Sequence, residues 1–488
     1  MRDVLRFYFG DIRHEISACA PTLGLLEWLR LDQRKCGTKE GCNEGDCGAC
    51  TVVVGSLEGG RLIYRAVNSC ITFLANLDGC HILTIEHLRS DAGLNAVQRA
   101  MVETHASQCG FCTPGIVMSL FAMWLNEASP SINRIEDVLA GNLCRCTGYR
   151  PIVDAAVLLY RNNDRKNDPF IKAIGAIEAK LKTLRDENVL HLNSIDGDFY
   201  APATLEDLAD LYSNKPTATL TAGTTDVGLW VTKGMQNLNP IISLSRVTAL
   251  KNIDHQPDQI CFGAMVSLAA VYKHLGAQHP HIAELLRRFG SEQIRNSGTI
   301  GGNIANGSPI GDLPPLLIAM GASITLRAGG ASRVVLLEKF FIDYKVQDRK
   351  TSEFIESITI PKLAENEILH VSKISKRFDE DISTICGAFW LKFSENSIVS
   401  ARLAFGGMAA IPKRSPAAEA ELIGSVWSLG AANKAANALE LDLAPLTDLR
   451  ATKTYRSSVA ANLVRRFAVE SLNPTVPARV TEIGGHHG

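Results

Sequence analysis

Gly41-Cys42-Asn43-Glu44-Gly45-Asp46-Cys47-Gly48-Ala49-Cys50, followed by Cys70, is the stretch whose reading decides the fold. Its thiols stand as C-x4-C-x2-C with a fourth beyond, the plant-type spacing for a [2Fe–2S] cluster. Three ligands on one loop must wrap around the cluster. Gly41, Gly45 and Gly48 let the backbone approach closely and turn its N–H groups towards an anionic centre. Zinc favours paired C-x2-C knuckles and leaves the x4 spacing unexplained, and four packing cysteines spaced this way by chance would not need the glycines. Around the loop, 4–9 and 51–54 read as strands and 22–31 as an amphipathic helix. A mixed sheet with one helix beside the cysteine loop is expected.

Four more cysteines follow in two halves, Gln108-Cys109-Gly110-Phe111-Cys112-Thr113-Pro114-Gly115 and Asn142-Leu143-Cys144-Arg145-Cys146-Thr147-Gly148-Tyr149-Arg150-Pro151. Each half stands at a helix start: Thr113 can cap with Pro114 at the first helical position, and Pro151 opens a second apolar run. The macrodipole at such an end stabilises negative charge, as a thiolate-bound cluster carries. With 116–126, 135–140 and 152–160 read as helices, the unit is a small helical bundle. Taken alone, C-x2-C with C-x-C is open between zinc and iron–sulfur.

The remaining composition bounds the partners. The chain has 488 residues, 46% hydrophobic and 21% charged, and 50 basic against 51 acidic side chains leave a net charge of −1. That excludes the disordered class and supplies no basic block for nucleic acid. The best apolar run, 116–125, is about half of the roughly 20 residues a membrane crossing needs. The opening residues lack the apolar stretch of a secretory signal. A cytoplasmic location and no membrane partner are expected, so the thirteen cysteines read as ligands before disulfides. Cysteines 19, 36, 80, 261 and 386 are expected as buried packing residues.

Beyond 161–169, a polar run that starts a linker, 170–184 reads as helical, and strand-like and helical segments alternate from Tyr200 onward. No G-x-G-x-x-G or G-x4-G-K-[ST] occurs. Two glycine-rich segments, 219–228 and 298–312, follow apolar stretches and could offer backbone N–H nests to a pyrophosphate, although such loops are often simple turns. A strand over 397–408 precedes Ala-rich helical segments. The closing His486-His487 pair lacks further ligands and reads as part of a frayed tail.

The three cysteine motifs, in their order and distance, resemble the paired [2Fe–2S] segments of the xanthine dehydrogenase/aldehyde oxidase family of molybdenum hydroxylases. The resemblance implies an α+β multidomain chain. Its parts are a plant-type ferredoxin-like β-grasp (1–85), a helical [2Fe-2S] bundle (86–165), a linker (166–190), an α/β FAD-binding domain (191–370) and a C-terminal α+β flavoprotein subdomain (371–488). It assigns Cys109, Cys112, Cys144 and Cys146 to the cluster nearest the molybdenum cofactor, and Cys42, Cys47, Cys50 and Cys70 to the cluster towards the flavin. Gln108 would lie close to the molybdopterin of a partner. Ala222, Gly223, Thr224, Thr225 and Asp226 map to one FAD loop, and Thr299, Gly301, Gly302, Asn303, Ser308 and Asp312 to the other. Phe289 corresponds to an aromatic beside the adenosine end, or else is a core aromatic. Tyr344 and Asp381 map to the NAD side of the flavin.

In that family the substrate is hydroxylated at a molybdenum–pterin centre held in a further large domain. The sequence contains no such domain, so a separate large molybdopterin-binding subunit is expected, in an (αβ)2 heterotetramer. This chain would then pass electrons through two [2Fe-2S] clusters to FAD and on to NAD while hypoxanthine or xanthine becomes urate. Alternatives are the same module serving an aldehyde or other N-heterocycle dehydrogenase, a stand-alone diaphorase, and a zinc-bound scaffold without redox work.

Overall fold

The computed structural model describes residues 1–89, 93–162 and 165–475; the expected tail lies outside them. The chain divides into two compact units, one of residues 1–251, 267–270 and 290–302, the other of 252–266, 271–289 and 303–488.

The first unit begins with strands β1 (Leu5–Phe9), β2 (Ile12–Ile16), β3 (Thr51–Glu58), β4 (Arg61–Asn68) and β5 (His81–Leu83), ordered β2-β1-β5-β3-β4. β1 runs parallel to β5 and antiparallel to β2, the mixed pairing expected around the cysteine loop. The expected helix 22–31 is shorter, Leu25–Glu27 continued by a wide turn, Trp28–Asp32. Its start is held back because Gly24 bridges Phe73 and the Leu25 amide donates to the Thr72 carbonyl, which keeps the preceding chain extended.

Helices Ala96–Glu103, Thr113–Asn126, Ile132–Leu139 and Arg150–Asn162 form the bundle. Thr113–Asn126 is apolar all round, as a helix covered on every side must be, and it is buried from Gly115 to Leu125. Its core includes Val53, Leu62 and Tyr64 of β3 and β4, so bundle and sheet share one interior. Removing a side chain as large as Phe121 or Trp124 from it costs about 3–5 kcal/mol. Much of the expected linker is helical and packed: Pro169–Lys182 is capped by Asp168, which also accepts from Trp124 Nε1 at 3.0 Å, and Ile177, Leu181 and Leu184 join the same core.

Strands β6 (Leu190–Ser194), β7 (Gly197–Ala201), β8 (Thr219–Thr221) and β9 (Ile241–Ser243) complete the unit in the order β6-β7-β9-β8. Leu190, Phe199 and Ile241 enter the core that holds Leu5, Phe7 and Trp28. An ion-pair network seals this junction. Arg2 reaches Asp78 at 2.5 Å and Asp186 at 2.9 Å, Arg246 reaches the same two carboxylates at 3.2 and 3.0 Å, and Arg2 pairs by backbone with Val189 and His191.

The second unit holds β10 (Ile253–His255), β11 (Gln259–Gly263), β12 (Ser323–Ala328), β13 (Ala331–Leu336), the hairpin β14 (Phe341–Asp343) with β15 (Val346–Gln347), and β16 (Phe354–Pro361). The main strands order as β10-β11-β16-β12-β13, all antiparallel. β17 (Glu367–Ile374), β18 (Ile385–Ser394), β19 (Ser397–Gly406) and β20 (Lys413–Arg414) make a further antiparallel sheet. Phe389, Leu403 and Phe405 of that sheet share a core with the Ala-rich helix Leu429–Ala438 and with Leu463 and Phe467 of Lys453–Leu472. Among the described residues no helix is long and apolar enough to cross a membrane.

Candidate iron–sulfur centres and flavin loops

The thiols expected to ligate metal converge as two sets of four, both in the first unit. In the first set Cys50 Sγ lies 3.3 Å from Cys70 Sγ, and Cys42 Sγ accepts from the amides of Asp46 at 3.4 Å and Cys47 at 3.3 Å. The Cys47 and Cys70 thiols, with backbone donors, hold Cys42 well below the ordinary thiol range, while Cys42 and Cys50 drive Cys70 far above it. Thiols crowded this way favour replacing their protons by a cation, and ligation releases those protons. Cys50 and Cys70 are 2% and 4% exposed, packed with Leu26 and Ile71. The donor set and the inward amides fit the expected cluster.

In the second set the pairs are Cys109 with Cys146 and Cys112 with Cys144. Burial and Cys144 push Cys112 up to about 12. Burial opposes ionisation of Cys144, but the Thr147 hydroxyl at 3.1 Å, the Thr147 and Cys146 amides and the Cys112 thiol together outweigh it and the thiol is lowered. The Tyr149 hydroxyl accepts the Cys144 amide at 2.8 Å. Cys112 holds the cap position of Thr113–Asn126 without a side-chain capping bond, so Thr113, expected as the cap, is the first helical residue and Pro114 the second. This set faces outward: Cys109 and Cys146 are exposed, beside Phe111 at 48% and Leu143 at 46% exposure.

The two sets meet through glycine. Gly48 has φ +68, and a Cβ there would overlap the Gly141 carbonyl oxygen, while a Cβ on Gly115 would overlap the Gly48 carbonyl. Each of the three motifs thus contributes one glycine to a single close contact. The Leu143 amide donates to the Cys47 carbonyl at 3.0 Å, tying the residue before Cys144 of the outer set to Cys47 of the inner one. Asn142 Nδ2 donates to Gly48 O at 3.0 Å, and its Oδ1 accepts from Ser119 at 2.6 Å and Gln293 at 3.0 Å. Asn142 and Gln293 were not among the expected site residues. For Asn142 the available signal is its place at the head of a ligand motif; for Gln293 none is visible in the sequence.

The glycine-rich loops follow the same logic. After β8, residues 222–226 turn with Thr224 at φ +57. Thr224 is buried and its Oγ1 donates to the Ile71 carbonyl at 2.7 Å, one residue beyond Cys70. A Cβ on Gly223 would overlap the Ser297 carbonyl oxygen, so this loop and the start of the second are pressed together. Thr225 is half-buried and Asp226 exposed. Thr299 is buried and accepts the Gly302 amide at 3.0 Å; Gly301 is buried beside it. Thr221 Oγ1 is buried without a hydrogen-bonding partner, an orphan that a bound polar ligand would satisfy.

In the second unit Asn303 Oδ1 is likewise buried and unpartnered. The Ser308 hydroxyl accepts the Ile310 amide at 3.4 Å. Asp312 is committed elsewhere: it pairs with buried Lys373 at 2.7 Å and accepts from Ser383, leaving its backbone as what it could offer a cofactor. Phe289 is half-buried. Tyr344 stands 55% exposed between β14 and β15. Asp381 accepts from the amides of Arg377 at 2.8 Å and Ile382 at 3.0 Å; burial opposes its ionisation, but these bonds hold the carboxyl below its usual range. Of the remaining cysteines, Cys19 and Cys386 are buried as expected, Cys80 and Cys261 are half-buried, and Cys36 is exposed.

The comparisons with known proteins agree with this geometry. Residues 84–157 match the [2Fe-2S] binding domain, 193–363 the FAD binding domain in molybdopterin dehydrogenase, and 370–471 the CO dehydrogenase flavoprotein C-terminal domain. These define an iron–sulfur flavoprotein of mixed helix and strand. The chain belongs to the molybdenum hydroxylase family and corresponds to its iron–sulfur and FAD portion. It is 33% identical to a xanthine dehydrogenase of Drosophila pseudoobscura pseudoobscura, over 80% of this chain and 33% of that protein. A xanthine dehydrogenase of Emericella nidulans is 30% identical over 99% of this chain and 39% of its own length. The chain therefore spans little more than a third of these relatives. A carbon monoxide dehydrogenase chain from Hydrogenophaga pseudoflava superposes with a TM-score of 0.52 at 26% identity, covering 55% of this chain and 94% of that one.

Proposed function

We propose that this chain is the electron-transfer subunit of a xanthine dehydrogenase, working with a separate large subunit that holds the molybdenum cofactor, with NAD as final acceptor. Cys109, Cys112, Cys144 and Cys146 would hold the cluster towards that partner, and Cys42, Cys47, Cys50 and Cys70 the one towards the flavin. Residues 222–226, Phe289, Thr299, Gly301, Gly302, Asn303, Ser308 and Asp312 are proposed for FAD. Tyr344 and Asp381 are proposed for the NAD side. When bound, the clusters supply one-electron storage and the flavin couples it to two-electron transfer.

The observation that carries this reading is the contact of Gly48, Gly115 and Gly141 with the Leu143–Cys47 hydrogen bond. It gives the two thiol sets a short connection through peptide bonds and one hydrogen bond. The Thr224 contact to Ile71 extends the sequence of contacts from Cys70 to a flavin loop. The exposed Phe111 and Leu143 beside the outer thiols suit a protein partner. Xanthine is preferred as substrate because the relatives bearing that name match 80–99% of this chain at 30–33% identity, against 55% at 26% for the carbon monoxide enzyme. A zinc scaffold has no use for buried orphan polar atoms in the glycine loops.

The test is reconstitution. The isolated chain is expected to contain iron and FAD, to reduce dyes with NADH, and to leave xanthine untouched. Adding a purified molybdenum-loaded large subunit should bring urate formation coupled to NAD reduction. Urate produced by the chain alone, with no molybdenum by elemental analysis, would overturn the division of labour.

A further inference from the structure

We propose that His281, His370 and Glu470, in the second unit, form a site for one divalent transition-metal ion of the zinc class. They come from three separate elements: the helix Pro280–Arg287, strand β17 and the helix Lys453–Leu472. One ligand atom from each lies within 4.8 Å of the other two. Zinc held by nitrogen and oxygen at about 2.0–2.2 Å sets its donors roughly 3.3 Å apart. Side-chain rotation closes that difference.

The surroundings supply what metal-binding imidazoles need, a partner for the second ring nitrogen. His281 Nδ1 lies 3.4 Å from the Val371 carbonyl. A carbonyl only accepts, so Nδ1 carries the proton and the lone pair sits on Nε2. His370 Nε2 is 2.8 Å from the Ser372 hydroxyl, and its Nδ1 faces Glu470 Oε2 at 3.0 Å. Arg466 Nε holds the other carboxylate oxygen at 2.7 Å. His370 is 1% exposed, with its ring stacked on Phe389 and near Phe467. A plain ion pair accounts for His370 with Glu470. It does not account for a third ligand atom arriving from the helix Pro280–Arg287, with the two imidazole centroids 4.5 Å apart.

Two histidines and one glutamate are a donor set zinc accepts while leaving a fourth position to water. The half-buried His281 and Glu470 leave room for that water. Occupancy would pin β17 between two helices, a cross-link remote in kind from the thiol sites, where sulfur is the donor.

The experiment uses the full chain loaded with its clusters and FAD. After equilibration with zinc and removal of the excess, elemental analysis should find one zinc per chain in addition to the iron. X-ray absorption at the zinc edge should show nitrogen and oxygen neighbours only, at about 2.0–2.1 Å. His281→Ala should weaken zinc binding by at least about a hundredfold, beyond what losing an outer partner does, with iron and flavin contents unchanged. Glu470→Gln, which keeps the side-chain volume, provides a second reading should the first variant fold poorly. Sulfur neighbours around zinc, no retained zinc, or equal binding by the wild type and a folded variant would overturn the site.

Discussion

The two thiol sets are alike in number, and they differ at their extremes, since each also holds half-buried thiols. Cys50 and Cys70 lie under Leu26 and Ile71, whereas Cys109 and Cys146 stand at the surface. Burial protects a centre from solvent and lets it be reached only through the protein. Exposure costs that protection and gives a centre that another macromolecule can approach directly. The same chemistry, placed at two depths, yields a direction.

The sharpest way to break this comparison is to remove one ligand from each side. Cys144→Ser is expected to lower xanthine-dependent NAD reduction in the reconstituted enzyme by at least about a hundredfold, while NADH-to-dye turnover persists. Cys70→Ser should lose flavin as well as iron, because Ile71 beside it holds Thr224. Electron paramagnetic resonance and flavin fluorescence read both; identical phenotypes would erase the distinction.

A comparable loss is expected from Gly48→Ala. The added methyl overlaps Gly141 O at a positive φ, so crowding and left-handed strain together should cost about 3–4 kcal/mol. Thermal unfolding measures it. An unchanged midpoint would show that the sets are not held by that contact.

Acid tests the inner site from below. His81 on β5 donates from Nε2 to the Gly10 carbonyl at 3.0 Å and accepts the Tyr64 hydroxyl at 2.8 Å on Nδ1, an arrangement only the neutral ring allows. Burial lowers its pKa from 6.5 to about 4. The unfolded chain takes up a proton near 6.5 and the folded one only near 4. The contribution is therefore complete above about pH 6.5 and is lost as pH falls to 4, reaching about 3 kcal/mol. His81→Gln should flatten that part of the unfolding profile.

The smallest effect separates the sets by access. In the folded protein a strong iron chelator should bleach the outer set at least about tenfold faster than the inner, a difference of about 1.4 kcal/mol in barrier. Equal rates would mean that local opening, rather than depth, governs release.

That the eight thiols gather in two sets was legible in their local spacing, x4 and x2 on one loop, as was the helix that starts after Cys112. What brings the sets together was not. Gly48 meets Gly141 only after sheet and bundle pack, and Gln293 arrives from far along the chain. The helix at 22–31 was overlong in the sequence because hydrophobic period does not reveal that Gly24 and Thr72 divert its start into a bridge. Position 312 has the composition of a ligand loop, yet its carboxylate serves Lys373, a buried pairing with no local signature. His281, His370 and Glu470 are scattered singly, and only the fold assembles them.

The junction sealed by Arg2, Asp78, Asp186 and Arg246 carries a consequence for synthesis. Arg2 leaves the ribosome well before two of its partners, Asp186 and the Val189 carbonyl, and Arg246, which completes the cage of charge, follows later still. Everything between Arg2 and Arg246 must emerge before this junction can close. The cysteine loop lies within that span and is made while the junction is still open. Leu229, which packs against the Cys50 and Cys70 cluster, arrives within the same interval and Ile294 after it, so these thiols are fully covered only once both have been made.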